Sequence, residues 1–293
     1  MPSLQILAVA TLAFGGLALM QVPPEQNPGK SAPKDPVEKP RVLVFSKTGG
    51  FRHDSIPQGV ACVREILAGR YEVDASEDSA VFTESNLRRY SAVVFLSTTG
   101  DILDAAQQAA FESYIRTGGG YAGIHAAADT EHTWPWYGQL VGAYFKTHPH
   151  IQPATVIVED QSHRSTRMLP REWRRTDEWY VYNQNPRGRV KVLAAVDDST
   201  IEGANMGGDH PIAWYHEFEG GRAWYTGGGH TKESFTEPLF RQHLEGGILW
   251  AANATDAAPP GADERKPDAV KAHPGARAPE GAREAPTDGP SRG

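Results

Sequence analysis

The sequence predicts an α/β domain built on a mostly parallel central sheet. Two observations indicate this fold class: short apolar runs alternate with amphipathic stretches from residue 41 to residue 253, and cap or turn residues separate them. Apolar runs of this length suit strands buried on both faces, and strands that alternate with helices form right-handed βαβ units. The chain has 293 residues, of which 39% are hydrophobic, so it can bury one core of ordinary size.

The first half of the domain shows the alternation most clearly. Ser55 is a candidate N-cap for a helix that has Pro57 in its first turn. Asp104, with Gln107 three residues later, predicts a second capped helix that ends near Thr117, just before three glycines. Apolar runs predict four strands, at residues 42–45, 71–73, 92–96 and 121–124.

The second half is richer in strand-like runs. Glu219 and the two glycines after it predict a hairpin turn. Phe240, Leu244 and Ile248 share one stripe of a closing helix over residues 238–251. The basic stretch at residues 171–175 is interpreted as a solvated surface segment. Four further strands are expected, at residues 155–158, 190–196, 212–217 and 222–226.

The two ends of the chain differ from the domain in composition. Residues 1–20 carry an apolar run that resembles a signal peptide, and residues 21–40 read as a disordered linker rich in proline and charge. Residues 254–293 lack aromatic residues and predict a disordered tail. We therefore expect an exported protein, periplasmic or secreted, whose first segment is cleaved or remains as a membrane anchor. A cytoplasmic protein is the alternative.

Charge and cysteine content exclude several function classes. The net charge is -7 and basic residues do not cluster, so we expect no nucleic-acid partner. Cys62 is the one cysteine, which rules out an intramolecular disulfide. It lies among apolar residues of a predicted helix and is interpreted as a small buried side chain rather than a nucleophile.

The most informative segment is residues 119–129, GGYAGIHAAAD. Gly123 and Ala127 flank His125 at the spacing of a nucleophile elbow, in which a strand turns sharply into a helix. Histidine is a poor acyl nucleophile, so we expect it to act as a general base, a proton shuttle or a metal ligand. Asp129 would share its face if an α-helix begins there. Alternatively, His125 only fills the turn and bonds to the backbone.

Three other loops carry candidate site residues. Gly227–Gly229 follow a predicted strand and precede His230, an acid/base candidate whose alternative is a surface histidine. The loop from Gly50 through His53 to Ser55 can hold a hydroxyl-rich or anionic ligand, unless Ser55 only caps its helix and His53 is solvated. Ligands of parallel sheets bind beyond the carboxyl ends of the strands, which is where these loops are expected.

The fourth candidate segment is residues 177–180, DEWY. Glu178 is a candidate catalytic or metal-binding carboxylate, and Trp179 and Tyr180 are candidates for stacking on a sugar ring. The alternative is an exposed acidic pair beside core aromatic residues. His210 is a further candidate, and Trp214, four residues later, is a third candidate for stacking on a sugar ring.

In combination these motifs resemble the ThuA-like family, which is named for trehalose utilisation. The matching pieces cover residues 42–252 and occur in this order: Gly50-Phe51-Arg52-His53 with Ser55-Ile56-Pro57, Gly123-Ile124-His125-Ala126-Ala127, Asp177-Glu178-x-Tyr180, His210-Pro211 with Trp214, and Gly229-His230.

The resemblance implies a class I glutamine amidotransferase-like fold, which is a flavodoxin-like three-layer sandwich. In that fold the elbow carries cysteine, whereas here it carries His125, so we expect no thiol chemistry on glutamine. His230 resembles the retained triad histidine. Thr99 and Gly100 lie in a turn that resembles the oxyanion-side loop.

The family is associated with the use of disaccharides, including oxidised (3-keto) sugars, and often accompanies sugar oxidoreductases. We therefore expect an extracytoplasmic enzyme that acts on a 3-keto glycoside, a small-molecule carbohydrate, by acid/base chemistry. The expected catalytic residues are His125, His230 and Glu178. The expected substrate-binding residues are Gly50, His53, Ser55, Thr99, Gly100, Asp129, Trp179, Tyr180, His210 and Trp214.

Three alternatives remain open. One adds a divalent metal such as zinc, held by His125, Asp129, Glu178 and His230. The second is a non-catalytic sugar-binding module with a decayed elbow. The third is a scaffold that associates with a sugar dehydrogenase.

Overall fold

A nine-stranded mixed sheet organises residues 39–255, the part of the chain that this computed structural model describes. The predicted signal peptide or anchor, nearly all of the linker and most of the tail lie outside these residues. Within the described part, none of the helices combines the length and the apolar character needed to cross a bilayer.

The first half follows the predicted alternation. The α3 helix begins after Asp104, whose carboxylate accepts from the backbone of Ala106 and Gln107 in the predicted capping box. Ser55 does precede α1, but its hydroxyl makes no cap bond and donates instead to Gly229 O, at 3.5 Å. The elements are β1 (Arg41–Phe45), α1 (Ile56–Ile66), β2 (Glu72–Ser76), α2 (Glu84–Leu87), β3 (Tyr90–Leu96), α3 (Ala105–Arg116) and β4 (Gly120–Ile124).

The second half contains more elements than the sequence predicts. The hairpin turn at Glu219 and Gly220 and the closing helix are where they were expected. The elements are α4 (Pro135–Val141), β5 (Phe145–Thr147), β6 (Gln152–Val158), β7 (Glu172–Asp177), β8 (Val181–Tyr182), β9 (Lys191–Val196), β10 (His210–Phe218), β11 (Gly221–Thr226) and α5 (Pro238–Ala251).

The sheet is mixed rather than mostly parallel. Its strand order is β2-β1-β3-β4-β11-β10-β9-β6-β7, and β5 pairs with β8 separately. Four neighbouring pairs are parallel and four are antiparallel. The prediction was wrong because the second half lacks crossover helices: a two-residue hairpin such as that between β10 and β11 can join only antiparallel strands. The flavodoxin-like layering stays a prediction.

The basic stretch at residues 171–175 is not a solvated surface segment. It forms most of β7, in which Trp173 and Arg175 are buried and alternate with exposed side chains. The Arg175 guanidinium pairs with Asp177 Oδ2 at 2.7 Å and with Glu237 Oε2 at 2.9 Å. Two carboxylates thus compensate a buried positive charge, and a solvated surface segment would not need such partners.

The sheet curls, and the curl brings the end of β7 next to the residues that follow β11. Strands lie about 4.8 Å apart, so β7, four positions from β11, would be about 19 Å away in a flat sheet. Yet Asp177 Oδ2 at the end of β7 lies 2.8 Å from the Gly229 amide that follows β11. Four antiparallel steps separate β7 from β11, so both strands point the same way. Their carboxyl ends therefore meet at one edge of the sheet, together with that of β4.

Candidate functional site

His125 lies at a sharp turn where β4 ends. Its φ is 52°, a left-handed conformation that is rare for a side-chain-bearing residue. A Cβ on Gly123 would lie 2.6 Å from the Tyr121 hydroxyl oxygen, so the strand before the turn needs glycine there. The predicted α-helix after the turn is instead a short 3-10 helix, His125–Asp129. The elbow-like turn therefore exists, but it does not open onto an α-helix.

The ring of His125 is fully buried, and its tautomer follows from its contacts. Nδ1–H donates to the carbonyl oxygen of Gly227 at 2.9 Å. With the proton on Nδ1, the lone pair of Nε2 is free, and Nε2 faces two other imidazoles and a carboxylate. The ring is thus oriented to offer an electron pair to whatever lies between those groups.

Four side chains converge on this point, and we call them the site cluster: His53, His125, Glu178 and His230. His125 Nε2 lies 3.1 Å from His53 Nε2 and 3.1 Å from His230 Nδ1. Glu178 Oε2 lies 3.2 Å from His230 Nδ1 and 3.5 Å from His125 Nε2. All four ligand atoms are within 4.8 Å of one another. Such convergence of nitrogen and oxygen donors suits a divalent transition metal.

The pKa shifts of His53 and Glu178 favour this donor set. Burial, reinforced by the neighbouring His125 and His230, lowers the pKa of His53 to about 3, so its ring is neutral at neutral pH. Burial opposes ionisation of Glu178, but the neighbouring imidazoles of His125 and His230 outweigh it and lower the pKa of this carboxyl. Burial also opposes protonation of His230, whereas Glu178 raises the His230 pKa overall. An ionised carboxylate therefore faces imidazole nitrogens in a largely buried place.

Asp177, fully buried, holds two members of the site cluster in place. Its carboxylate accepts from the Gly229 amide at 2.8 Å, the His230 amide at 3.1 Å and the Glu178 amide at 2.9 Å. Burial opposes its ionisation, but the Arg175 guanidinium outweighs that and lowers the pKa of Asp177. The loops after β7 and β11 are thus tied to a single charged anchor.

A cavity of about 360 Å³ opens above the site cluster, toward the low end of the range for small-molecule sites. Phe51 stands at its edge with 68% of its surface exposed, and His125 lies beneath, without access to solvent. The lining combines aromatic and ionisable side chains: Phe51, His53, Asp129, Phe145, His148, Glu178, Tyr180 and His230.

The family model described as ThuA, trehalose utilisation, matches residues 41–251. The chain belongs to the ThuA family. A ThuA-like protein from Bacteroides uniformis ATCC 8492 has a similar structure, with a TM-score of 0.63 and 24% identity over 76% of this chain and 95% of that one. A second, from Parabacteroides merdae ATCC 43184, gives 0.62 and 20% identity over 76% and 94%. At these identities the two structures show a shared fold alone. No curated protein matches the chain.

The ThuA chain brings together the three residues expected to be catalytic and three of those expected to bind substrate. His125, His230 and Glu178 lie in the site cluster, and His53, Asp129 and Tyr180 line the cavity. The predicted metal set needs one correction, because His53 takes the place of Asp129. The Asp129 carboxylate is directed to His132, whose Nε2 lies 2.9 Å from Oδ1.

Two predicted sugar-stacking residues of the ThuA chain are core residues. Trp179 is 1% exposed and Trp214 is 0% exposed. Their indole N–H groups donate to backbone carbonyls, those of Gln152 and Val141. His210 is also buried and does not line the cavity. Its Nδ1 faces Asp198 Oδ1 at 2.6 Å, and its Nε2–H donates to Tyr180 O at 2.8 Å. These three residues therefore shape the site from behind instead of contacting a ligand.

The remaining residues that were predicted to contact a ligand make hydrogen bonds within and between the loops instead. Thr99 Oγ1 accepts from the Gly50 amide at 3.2 Å and donates to Phe51 O at 2.9 Å. The Gly100 amide donates to Asp129 O at 2.8 Å. Gly50, Ser55, Thr99 and Gly100 all lie outside the cavity lining. In this ThuA protein Gly50, Thr99 and Gly100 hold Phe51 and Asp129 at the cavity.

Several site residues were missed from the sequence. Phe145 and His148 line the cavity, and His148 Nδ1 lies 3.2 Å from Glu178 Oε1. His132 was missed as well. It does not line the cavity and contacts Asp129 instead. The exposed Phe51 lay in a recognised motif, next to glycines, and could have been chosen as the aromatic contact in place of the tryptophans.

Proposed function

We propose that this protein is a carbohydrate-processing enzyme in which the site cluster binds one divalent cation of the zinc class. The observation that carries the proposal is the convergence of three imidazole nitrogens and one carboxylate oxygen within 4.8 Å, on the floor of an aromatic cavity. If these four groups had separate roles, their lone pairs would not need to point at one another.

The spacing supports a shared cation. Ligands about 2.1 Å from a metal lie about 3.0 Å apart at right angles and about 3.4 Å apart at tetrahedral angles. The contacts to His125 Nε2 and His230 Nδ1 run from 3.1 to 3.5 Å. His53, Glu178 and His230 also line the cavity, so a bound cation would face the space in which a substrate lies.

Oxidised (3-keto) glycosides are the proposed substrates, on the strength of the family's link to trehalose utilisation. A ketone at C3 makes the C2–H bond acidic. Removal of that proton forms an enolate, whose collapse breaks the C1–O bond and releases the alcohol. A divalent cation supplies Lewis-acid stabilisation of the negative charge that develops on the ketone oxygen. Water then adds to C1 and a proton returns to C2, so the net reaction is hydrolysis.

His125 suits cation binding better than the role of base. Its Nδ1–H is committed to Gly227 O, and the ring has no exposed surface from which to exchange a proton. The proposal keeps the amidotransferase-like, flavodoxin-like interpretation of the elbow, with histidine where that fold carries cysteine.

Location and partner remain part of the proposal. The apolar run at residues 1–20 supports export to the periplasm or beyond, with or without an anchor. A 3-keto sugar must be supplied by a sugar oxidoreductase, which makes such an enzyme the expected partner. Cell fractionation with an antibody to the domain tests the first point, and co-purification tests the second.

The central test measures metal content and turnover together. We expect about one zinc-class ion per chain after dialysis, and release of 4-nitrophenol from a 4-nitrophenyl 3-keto-glucoside but not from the unoxidised glucoside. Chelation should abolish release and added metal should restore it. Metal-free protein with full activity contradicts the cation role. Sugar binding without turnover of any keto-glycoside supports the alternative of a non-catalytic binding module.

A further inference from the structure

Assigning the site cluster to a cation leaves the proton-transfer step without a residue. His53, Glu178 and His230 would each direct a lone pair to the cation and could not also remove a proton from carbon. Three ionisable side chains of the cavity lining remain, Asp129, His148 and Tyr180. Burial raises the pKa of Tyr180 well above its ordinary value, so its hydroxyl stays protonated and cannot accept the proton. Asp129 and His148 are left. Their contacts differ, and the difference selects one of them.

His148 is committed to a cluster ligand. Its Nδ1 lies 2.8 Å from Pro149 O and 3.2 Å from Glu178 Oε1. A proton on Nδ1 satisfies both oxygens, as expected for the outer partner of a ligating carboxylate. This contact fixes the oxygen of Glu178 that faces away from the other imidazoles. His148 is therefore placed to orient Glu178. Its Nε2 keeps a lone pair, which makes His148 the rival base, so His148→Gln is included among the test variants.

Asp129 is held at the cavity wall from its backbone. It ends the 3-10 helix that His125 begins, and its carbonyl accepts from the Gly100 amide at 2.8 Å. The next residue, Thr130, bridges to Gly100 and bonds to Thr98, its hydroxyl oxygen 2.8 Å from that of Thr98. The position of Asp129 is thus set by the loop after β3 as well as by its own turn.

The side chain of Asp129 is fixed by a second histidine. Oδ1 lies 2.9 Å from His132 Nε2, and the His132 ring stacks on Tyr144 with centroids 4.7 Å apart. The Tyr144 hydroxyl donates to Glu131 O at 2.7 Å, and Glu131 lies between Asp129 and His132 in the same loop. One carboxylate oxygen is therefore occupied by an oriented imidazole, and the carboxylate belongs to the cavity lining. A base and its orienting group in hydrogen-bond contact are the arrangement that proton abstraction requires.

We propose that Asp129, positioned by His132, is the base that removes the C2 proton of a bound 3-keto glycoside and later delivers a proton from water to C2. The inference rests on the proposed function. The proton moves from C2 to the Asp129 carboxylate while the C–H electron pair becomes the enolate. When the C1–O bond breaks, the departing oxygen takes that proton. In the second half, Asp129 takes a proton from the water that adds to C1 and delivers it to C2. No oxidant or reductant is consumed.

The sharpest test isolates the C–H step. The metal-loaded protein is incubated with 3-keto-glucose in D₂O, and loss of the C2–H signal is followed by proton NMR. We expect Asp129→Asn to slow exchange about 100-fold or more, since a positioned base contributes roughly 10²–10⁴. Its metal content and melting temperature should match the parent protein. His132→Gln should slow exchange less and shift the pH profile of kcat/KM.

A matched control is Asp101→Asn. Asp101 accepts from the Thr133 hydroxyl at 3.0 Å and so touches the same segment, but it lies outside the lining of this cavity. Exchange and turnover should be unchanged. Asp129→Ala supplies a second test, because added formate should restore part of its exchange if only a carboxylate is missing.

The outcomes separate the inference from the proposed function. If the parent protein turns over 3-keto glycosides and Asp129→Asn keeps more than a tenth of the exchange rate, Asp129 is not the base. Loss of the cation in Asp129→Asn, or equal loss of exchange in His148→Gln with Asp129→Asn unaffected, also overturns the inference. If the parent protein neither binds a cation nor exchanges C2–H, the proposed function itself fails and the inference fails with it.

Discussion

Two groups of buried histidines show why burial alone does not mark a functional site. The site cluster occupies the carboxyl edge of the sheet. The core pair consists of His163 and of His243, which is a buried residue of α5. The His243 ring lies 5.0 Å from that of Trp224, and the His163 ring lies 4.3 Å from that of Tyr215. Burial lowers the pKa in both places, to about 3 for His53 and for His243 and to about 4 for His163.

The direction of the ring nitrogens is what differs. In the core pair, His243 Nδ1–H donates to Ser165 O at 3.0 Å and His163 Nδ1 accepts from the Ser165 amide at 3.1 Å. Both contacts are to backbone groups of Ser165. In the site cluster the nitrogens face one another and an ionised carboxylate, next to a cavity. A common target for lone pairs, rather than a low pKa, is therefore the signature of a candidate cation site.

The largest expected effect comes from substituting one histidine in each group, in separate variants. His125→Ala should lower the affinity for a zinc-class ion more than about 100-fold, because even outer partners of metal ligands contribute about 10–100-fold. His243→Gln should keep one ion per chain and lose about 1–3 kcal/mol of unfolding free energy. Competition with a fluorescent chelator and urea unfolding measure the two quantities. Equal metal binding by both variants would remove the distinction between the groups.

Metal removal gives the next effect. A cation at about 100 times its Kd stabilises the native state by about 2.7 kcal/mol. For a domain of this size that corresponds to a fall in Tm of about 5–10 °C on chelation. Differential scanning fluorimetry with and without chelator measures the shift, and added zinc should reverse it. His125→Ala should show no shift, whereas His243→Gln should show the full one. A shift of the same size in His125→Ala speaks against the site cluster as the binding place.

The core pair should make the protein sensitive to acid. The pKa of His243 is about 3 in the folded chain, against an ordinary value of 6.5, so the unfolded chain binds the proton more readily. Its contribution to stability is complete above pH 6.5 and is lost as pH falls toward 3. We expect a loss of about 2 kcal/mol between pH 6.5 and pH 5 from this residue. Urea midpoints measured with chelator present test this, and His243→Gln should flatten the curve. If the pH dependence of the urea midpoint is unchanged in His243→Gln, other groups cause the acid sensitivity.

The smallest effect concerns His148, the outer partner of Glu178. His148→Gln should weaken cation binding about tenfold while leaving about one site per chain. The nearby exposed His150 supplies the control, since His150→Gln should leave affinity unchanged. Titration of metal-free protein by calorimetry measures both. Parent-like affinity in His148→Gln would mean that the contact with Glu178 Oε1 does not support the cation.

Much of the first half of the fold was predictable, because its signals are local. The capping box at Asp104 and the apolar runs of β1, β3 and β4 depend on neighbouring residues, and the structure confirms them. β7 was missed because its strand pattern contains charged residues, EWRRTD. Only the pairing of Arg175 with Asp177 and Glu237 makes a charged residue acceptable on the inner face.

The candidate site was predictable where glycine-rich turns follow strands. His125 and His230 were selected on that basis, and they meet. Asp129 was placed in the metal set on the assumption of an α-helix, in which residues four apart share a face. The segment forms a 3-10 helix instead, in which three residues complete a turn. A residue four positions after His125 is therefore rotated by about 120° from it around the helix axis. Trp179 and Trp214 were assigned to sugar stacking, but large apolar rings gain more from burial in the core.

By itself the sequence determined the family, the α/β class and the identity of the histidines at the strand ends, because periodicity and turn chemistry act over a few residues. The tertiary structure decided which groups share a space. Glu178 reaches His125 and His230 only because a sheet that would separate β7 from β11 by about 19 Å curls back on itself. Curling is set by the packing of the whole sheet, so no local pattern around Glu178 could reveal it.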